Sequence, residues 1–309
     1  VTATAGSNDR VVLAISAFRS DDSVRALLRT LPRAEASPFV ATLVVDSLGS
    51  GALVRPDEAD GLPDYRYENH PTNLGSSGNF ARRVEWAATF DADWVYTVNH
   101  DGHVELDTVA SLVRTGQRID RCGAVYPLRY YEQRGTWNLT GTSRRARPSK
   151  GTTTRPTGDP IPVTWASSNG ALLSLAPVRD GLLPWADLWM GWEDLGYGWL
   201  LDAHGWKQVV DPNAVFVDGY ECRTVRVAGR DVTITDKPSW YTYYQIRNLL
   251  LCTRRAAHTP TDWAIAAGRI GLELGLSGLV RNDRSRRLRH LAAGVRDGLL
   301  GRTGKWRLP

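Results

Sequence analysis

The chain opens with an apolar run, Val11 to Ser16 (VVLAIS), that contains no polar alternation. This is the pattern of a strand buried on both faces of a parallel sheet. Asp21 and Asp22 then offer helix caps ahead of Val24, Leu27, Leu28 and Leu31, which recur at helical spacing. A second apolar run, Phe39 to Val45, predicts another buried strand, ending at Asp46 and the turn-rich Ser47 to Gly51. Tyr65 to Glu68 predicts a short third strand. Asn73-Leu74-Gly75-Ser76-Ser77-Gly78-Asn79 predicts a glycine-rich loop before a helix over Phe80 to Thr89, with Phe80, Val84, Ala87 and Ala88 turned inward. The strand Trp94 to Val98 runs into Asn99-His100-Asp101-Gly102-His103, a helix follows over Leu106 to Arg118, and Gly123 to Tyr126 predicts the next strand. This strand–helix alternation predicts an α/β fold with a mostly parallel sheet, in which ligands bind beyond the carboxyl ends of the strands.

The pattern then breaks. Glu132 to Pro162 is rich in Thr, Arg, Gly and Pro without periodicity, and reads as a long surface loop or ragged hairpin. Periodicity returns over Val163 to Leu175, and a helix is predicted over Glu193 to His204, closed by Gly205. Tyr241 to Arg255 and Asp262 to Leu300 read as helical, the latter with glycine interruptions. The predicted organisation is a tail at 1–9, one α/β domain over 10–255 and a basic helical extension over 256–309.

Composition narrows the class. With 42% hydrophobic and 23% charged residues among 309, the chain can bury a sizeable core. Cys122, Cys222 and Cys252 are odd in number and far apart, which suggests neither a disulfide framework nor a zinc cluster. The polar start and the absence of a long apolar run point to a soluble, cytoplasmic protein; Ala264 to Val280 comes nearest to a span but carries Arg269 and Glu273. Charge is unevenly placed. From Arg281 onward nine Lys/Arg face two Asp/Glu, leaving 29 basic and 31 acidic residues before it. Such a tail suits phosphates, the anionic inner face of a membrane or nucleic acid, or is simply a solvated amphipathic helix. Twelve tryptophans, five of them between Trp185 and Trp206, could stack on sugars or pack a core.

Three constellations carry candidate chemistry. Asn99-His100-Asp101-x-His103, at a strand end, suits a hard divalent cation or a polar turn. In Trp192-Glu193-Asp194, the paired acids open a helix and fit either a general base or a simple dipole complement. The glycine-rich loop before Phe80 could offer backbone N–H groups to a phosphate. No Gly-x-Ser-x-Gly elbow is present, and Gly301 to Trp306 lacks the glycine, hydroxyl and preceding strand of a P-loop.

Taken in order, these pieces resemble a family-2 glycosyltransferase of the GT-A type, from about Val11 to Lys305. The resemblance rests on VVLAIS, VVDSLGS, Asn73 to Arg82, Asn99-His100-Asp101, Trp192 to Gly198 with Gly205, Tyr243-Tyr244-Gln245-Ile246-Arg247-Asn248, and Asp297 to Gly304. The last two, with the acid pair, are similar to the galactofuranosyl- and rhamnosyltransferase-like branch. The resemblance implies inverting transfer from a nucleotide-diphosphate sugar, UDP- or dTDP-linked, to a polysaccharide, lipid-linked glycan or small-molecule aglycone. By this likeness Asp194 is the general base and Glu193 orients the acceptor. Ser16, Asp46, Asn73, Gly75, Arg82, Asn99 and His100 line the donor, with Arg82 or Arg83 near its diphosphate. Trp192, Asn169 and Gly170 meet the acceptor. Asp101, His103 and Asp218 hold Mg²⁺ or Mn²⁺. Two positions depart from the family: Asn99 stands where the metal motif has Asp, and Asp218 where a His is usual. The rivals are a nucleotidyltransferase, disfavoured by the glycine-free Ala17-Phe18-Arg19-Ser20, a catalytically silent relative that only binds, and a nucleic-acid binder resting on the tail alone.

Overall fold

The computed structural model describes residues 9–138, 151–219, 223–227, 230–234, 237–256, 259–279 and 282–306. Its strands are β1 Val11–Phe18, β2 Phe39–Ser47, β3 Tyr65–His70, β4 Trp94–Asn99, β5 Cys122–Tyr131, β6 Thr136–Asn138, β7 Ile161–Val163, β8 Ala171–Ser174, β9 Lys207–Asp218, β10 Arg223–Val227 and β11 Arg230–Ile234. The helices are α1 Asp21–Thr30, α2 Gly75–Ala87, α3 Leu106–Gln117, the single turn α4 Ala176–Arg179, α5 Glu193–Ala203, α6 Tyr241–Ala256, α7 Pro260–Leu279 and α8 Arg284–Leu299.

The main sheet runs β3-β2-β1-β4-β8-β5-β9-β7, with β6 beside β5, while β10 and β11 form a separate hairpin. Neighbours among β3, β2, β1 and β4 are parallel, as are β5 and β9; β8 is antiparallel to both β4 and β5. The sheet is therefore mostly parallel, as its apolar runs predict. Period-two alternation sorts β1 between two cores. Val11, Leu13 and Ile15 meet α1 and α3 through Val24, Leu28, Val109 and Leu112. Val12 and Ala14 face α2 and α5 through Phe80, Val84, Tyr197 and Leu201. Burying a side chain such as Leu28 stabilises by about 1.5–3 kcal/mol.

The chain leaves β1 toward β2 and β3, then crosses back to β4 on the other side of β1. This reversal opens a crevice at the carboxyl ends of β1 and β4. Because β8 is reversed, its amino end reaches the same place.

Several local expectations change. The glycine-rich stretch is not all loop: α2 already starts at Gly75. β5 extends to Tyr131, because pairing with β6 and β9 carries it beyond its apolar segment. Within the supposed loop, β6 pairs with β5, and Trp137 bridges Thr152; residues 139–150 lie outside the described residues, as do Cys222 and all but the last of the residues 1–9. The helical stretch from Asp262 to Leu300 is two helices, with Asp283 in the left-handed region at φ 55° before α8. No helix among the described residues is long and apolar enough to cross a membrane.

The C-terminal helices pack on the α/β body through α6. Leu249, Leu251 and Cys252 join Trp165, Leu188, Leu195 and Trp199 in a third core. Helix α8 lies close on α6 because Gly294 and Gly298 face Tyr243 O and the Leu250 side chain, where a Cβ would come within 2.7 and 2.9 Å.

Candidate active site

A cavity of about 280 Å³ lies in the crevice. Its back wall is knit by hydrogen bonds between strand ends. Ser16 Oγ donates to Asn99 Oδ1 at 2.9 Å, and Asn99 N–H donates to Asn169 Oδ1 at 2.9 Å. His100 N–H donates to Ser16 O at 2.9 Å. Ser16, Asn99, His100 and Asn169 thus form one unit on the wall, and Asp101 stands exposed at the rim.

The second wall is the start of α2, with Asn73, Gly75, Ser76, Asn79, Phe80 and Arg83 lining the cavity. Gly75 has φ +70°, and a Cβ there would fall 1.9 Å from Trp189 O. Only glycine lets the helix begin beneath that carbonyl. Two of the helix-start N–H groups are already used, Gly75 N–H by Asn73 Oδ1 at 2.8 Å and Ser77 N–H by Trp189 O at 3.2 Å. The glycines therefore serve close packing, and those two N–H groups are not open to a phosphate. Positive charge comes instead from Arg83, which is 3% exposed. Its Nη1 donates to Ala14 O at 3.2 Å and Val98 O at 2.9 Å, while its Nε is buried without a partner. Burial pushes this guanidinium down to about 10, opposed by the negative charges of Asp194 and Glu193.

The acid pair closes the cavity. Trp192, at φ 65°, caps α5, so Glu193 and Asp194 occupy its first turn. Asp194 Oδ1 accepts Ser168 N–H at 3.1 Å, and Glu193 Oε2 receives Ser77 Oγ at 3.5 Å. Burial and the neighbouring Asp194 raise Glu193 to about 7. Asp194 is raised as well, chiefly by burial, but Ser168 and the cations Arg129 and Arg83 pull it back. Like charges this close do not both ionise freely, and both carboxyls are held above their ordinary range.

The Arg-Asn of α6 holds the loop that carries the acids. Asn248 Nδ2 donates to Leu188 O, Met190 O and Gly191 O at 3.0, 2.7 and 2.9 Å. Arg247, fully buried, donates to Leu188 O and to Gly304 O, each at 2.6 Å. Tyr243 Oη donates to Asp297 Oδ2 at 2.9 Å. The Tyr-Tyr-x-x-Arg-Asn segment and the Asp297 to Gly304 tail are thus one packing unit behind the acids. Sequence spacing separates them too widely to show this.

Other expected residues lie elsewhere. Arg82 points away and pairs with Glu68 at 2.8 Å and Glu85 at 3.0 Å. Asp46 is 0% exposed beneath Gly49, accepting from Tyr67 Oη at 3.1 Å, and its neighbour Ser47 lines the cavity in its place. Trp192 turns its indole to Gln245 O at 2.8 Å, in the third core. Gly170 is needed for packing: its φ is +82°, and a Cβ would meet the Phe216 ring at 2.4 Å. The proposed metal ligands do not converge. His103 stacks on Phe216 at 4.5 Å, and Asp218 pairs with Arg129. Among the described residues no three His, Cys, Asp or Glu side chains gather at one point. The residues present therefore do not fit a metal site built by the protein, and Asp101 is the one member of the set on the cavity.

Ser168 and Arg129 escaped the sequence reading. Arg129 is aligned with Phe216 by the β5–β9 register, which no local pattern announces. Arg83 did carry a signal, because it sits one turn from Phe80 and Ala87, inside the inward stripe that excludes Arg82.

This architecture is the GT-A fold. No family model matches the sequence, and no curated protein does. Solved structures do. Residues 1–349 of S. aureus TarS, in complex with UDP-GlcNAc, align over 94% of this chain and 81% of that one, at 11% identity and a TM-score of 0.58. The mannosyltransferase PcManGT of Pyrobaculum calidifontis, with GDP-Man and Mn²⁺, aligns over 94% and 87%, at 13% identity and 0.56. GalNAc-T7, with UDP, GalNAc and Mn²⁺, aligns over 96% and 57%, at 10% identity and 0.56.

Proposed function

We propose that the protein is an inverting glycosyltransferase that moves a sugar from a nucleotide-diphosphate donor to an acceptor hydroxyl. The observation that carries this reading is the acid pair Glu193 and Asp194 on a cavity at the strand ends, facing the buried cation Arg83. Asp194 acts as the base. Its bond from Ser168 and the two nearby arginines favour its ionised form, while burial raises its proton affinity. As the acceptor oxygen attacks the anomeric carbon, its proton passes to Asp194. The bond from that carbon to the diphosphate breaks, and its electron pair leaves with the phosphate oxygen. Arg83 supplies positive charge near the departing group. Glu193, its carboxyl raised by burial and by the neighbouring Asp194, orients the acceptor by hydrogen bonding.

Because the acidic residues do not gather into a metal site, the reading routes no step through Mg²⁺ or Mn²⁺. The donor is a UDP- or dTDP-sugar, and the sequence likeness to the galactofuranosyl- and rhamnosyltransferase-like branch supports a glycan, lipid-linked or aglycone acceptor. The basic C-terminal region supports peripheral contact with an anionic membrane face. The same divergence of the metal set favours one second reading, a silent relative that binds nucleotide without transfer.

The test is release of nucleoside diphosphate from a panel of UDP-, dTDP- and GDP-sugars with candidate acceptors, compared with Asp194→Asn. The substitution should cut turnover by about 10²–10⁴-fold while donor binding persists. Binding without release by the wild type supports the silent relative, and undiminished release by the variant removes Asp194 from the chemistry.

A further inference from the structure

The C-terminal helices enclose a second cavity, of about 390 Å³. Arg286, Arg289, His290 and Ala293 of α8 form one of its walls, an i, i+3, i+4, i+7 stripe on a single helix face. The other wall is aromatic, made by Trp240 and Trp306. Trp306 is firmly held: its ring stacks on Tyr243 at 4.1 Å and 10°, and its backbone N–H donates to Tyr244 Oη at 2.8 Å. Trp240 packs edge-on against Tyr241 and Tyr244.

Three features of this pocket are not explained by folding. His290 is 8% exposed with its ring edge-on to Trp306, yet its Nδ1 is buried without a hydrogen-bond partner. Arg286 and Arg289 are exposed and make no ion pair among the described residues. Arg287 between them differs, being turned inward and bonded to Lys237 O at 2.7 Å. Finally, among the described residues no acidic side chain lines the pocket.

We infer that this pocket binds a phosphate ester, with the phosphate on Arg286 and Arg289 and the organic part against Trp240 and Trp306. Two guanidinium forks one turn apart match phosphate oxygens. His290, edge-on to Trp306, forms the inner side of the pocket, and the indole walls suit an apolar or flat substituent rather than bare phosphate. The inference does not rest on the sugar-transfer reading, since none of these residues lines the first cavity and binding requires no turnover.

Two sources share this chemistry, a soluble ester and the phosphate head of a membrane lipid. The full chain would be titrated with phenyl phosphate while intrinsic tryptophan fluorescence is followed, with Trp306→Phe locating the signal. In parallel it would be sedimented with phosphatidylcholine vesicles, with and without phosphatidic acid. Arg286→Ala combined with Arg289→Ala removes only exposed side chains, and His290→Asn tests the interior separately. The expected result is saturable binding weakened about tenfold or more in the double variant. If arginine-dependent binding appears with phosphatidic acid vesicles, the ligand is lipid-borne; if it is confined to phenyl phosphate, the ligand is a soluble ester. Binding of neither probe, or binding unchanged in both variants, overturns the proposal.

Discussion

Replacing Glu193 by Gln removes one of two adjacent carboxylates while keeping size and hydrogen-bonding reach. In the folded protein, burial and Asp194 raise this carboxyl from its ordinary 4.5 to about 7. Between those values the native state holds a proton that the unfolded chain has released, so stability falls as pH rises. Below about pH 4.5 both states are protonated and the penalty vanishes; above about pH 7 both are ionised and it is complete. A rise of this size corresponds to at most about 3.4 kcal/mol. The residue is only half-buried at the cavity wall, which lowers the expected penalty to about 1–2 kcal/mol. The variant should therefore match the wild type near pH 4.5 and exceed it by about 1–2 kcal/mol near pH 8. Urea denaturation of both proteins across this range measures the difference. A pH-independent gap, or a variant less stable than the wild type near pH 8, would refute the electrostatic reasoning.

Arg83→Met should weaken nucleotide binding by about 10–100-fold, whereas Arg82→Ala should leave it within about twofold, as read by calorimetric titration. Gly75→Ala forces a left-handed φ on alanine and drives its Cβ into Trp189 O, so thermal unfolding should show a loss of about 2 kcal/mol or more. Asn248→Leu leaves the carbonyls of Met190 and Gly191 without this donor, and should cost about 2–4 kcal/mol in denaturant melts.

The strand–helix order was legible because buried parallel strands demand unbroken apolar runs, as in VVLAIS, and amphipathic helices demand their own period, as at Val24, Leu27 and Leu28. The acid pair was legible as the opening of a helix, and α5 does begin at Glu193. The start of α2 was not legible as helix, because four glycine and serine residues in succession have weak helical preference; the carbonyl of the distant Trp189 and the Asn73 side chain cap it. The same non-local origin explains Arg129, which meets Asp218 only through strand register, and Trp192, whose indole is claimed by Gln245 O. Arg83 and Arg82 differ by one position, and helical phase, rather than residue type, turns one into the cavity and the other to Glu68.

The central claim is that the crevice between β1, β4 and α2 holds a nucleoside diphosphate. Calorimetric titration with UDP, GDP and dTDP, with and without Mn²⁺, on the wild type and Arg83→Met tests it directly. The account predicts saturable binding of one of the three without added Mn²⁺, lost or strongly weakened in Arg83→Met. Failure of all three to bind at millimolar concentration, or binding indifferent to Arg83, would contradict it.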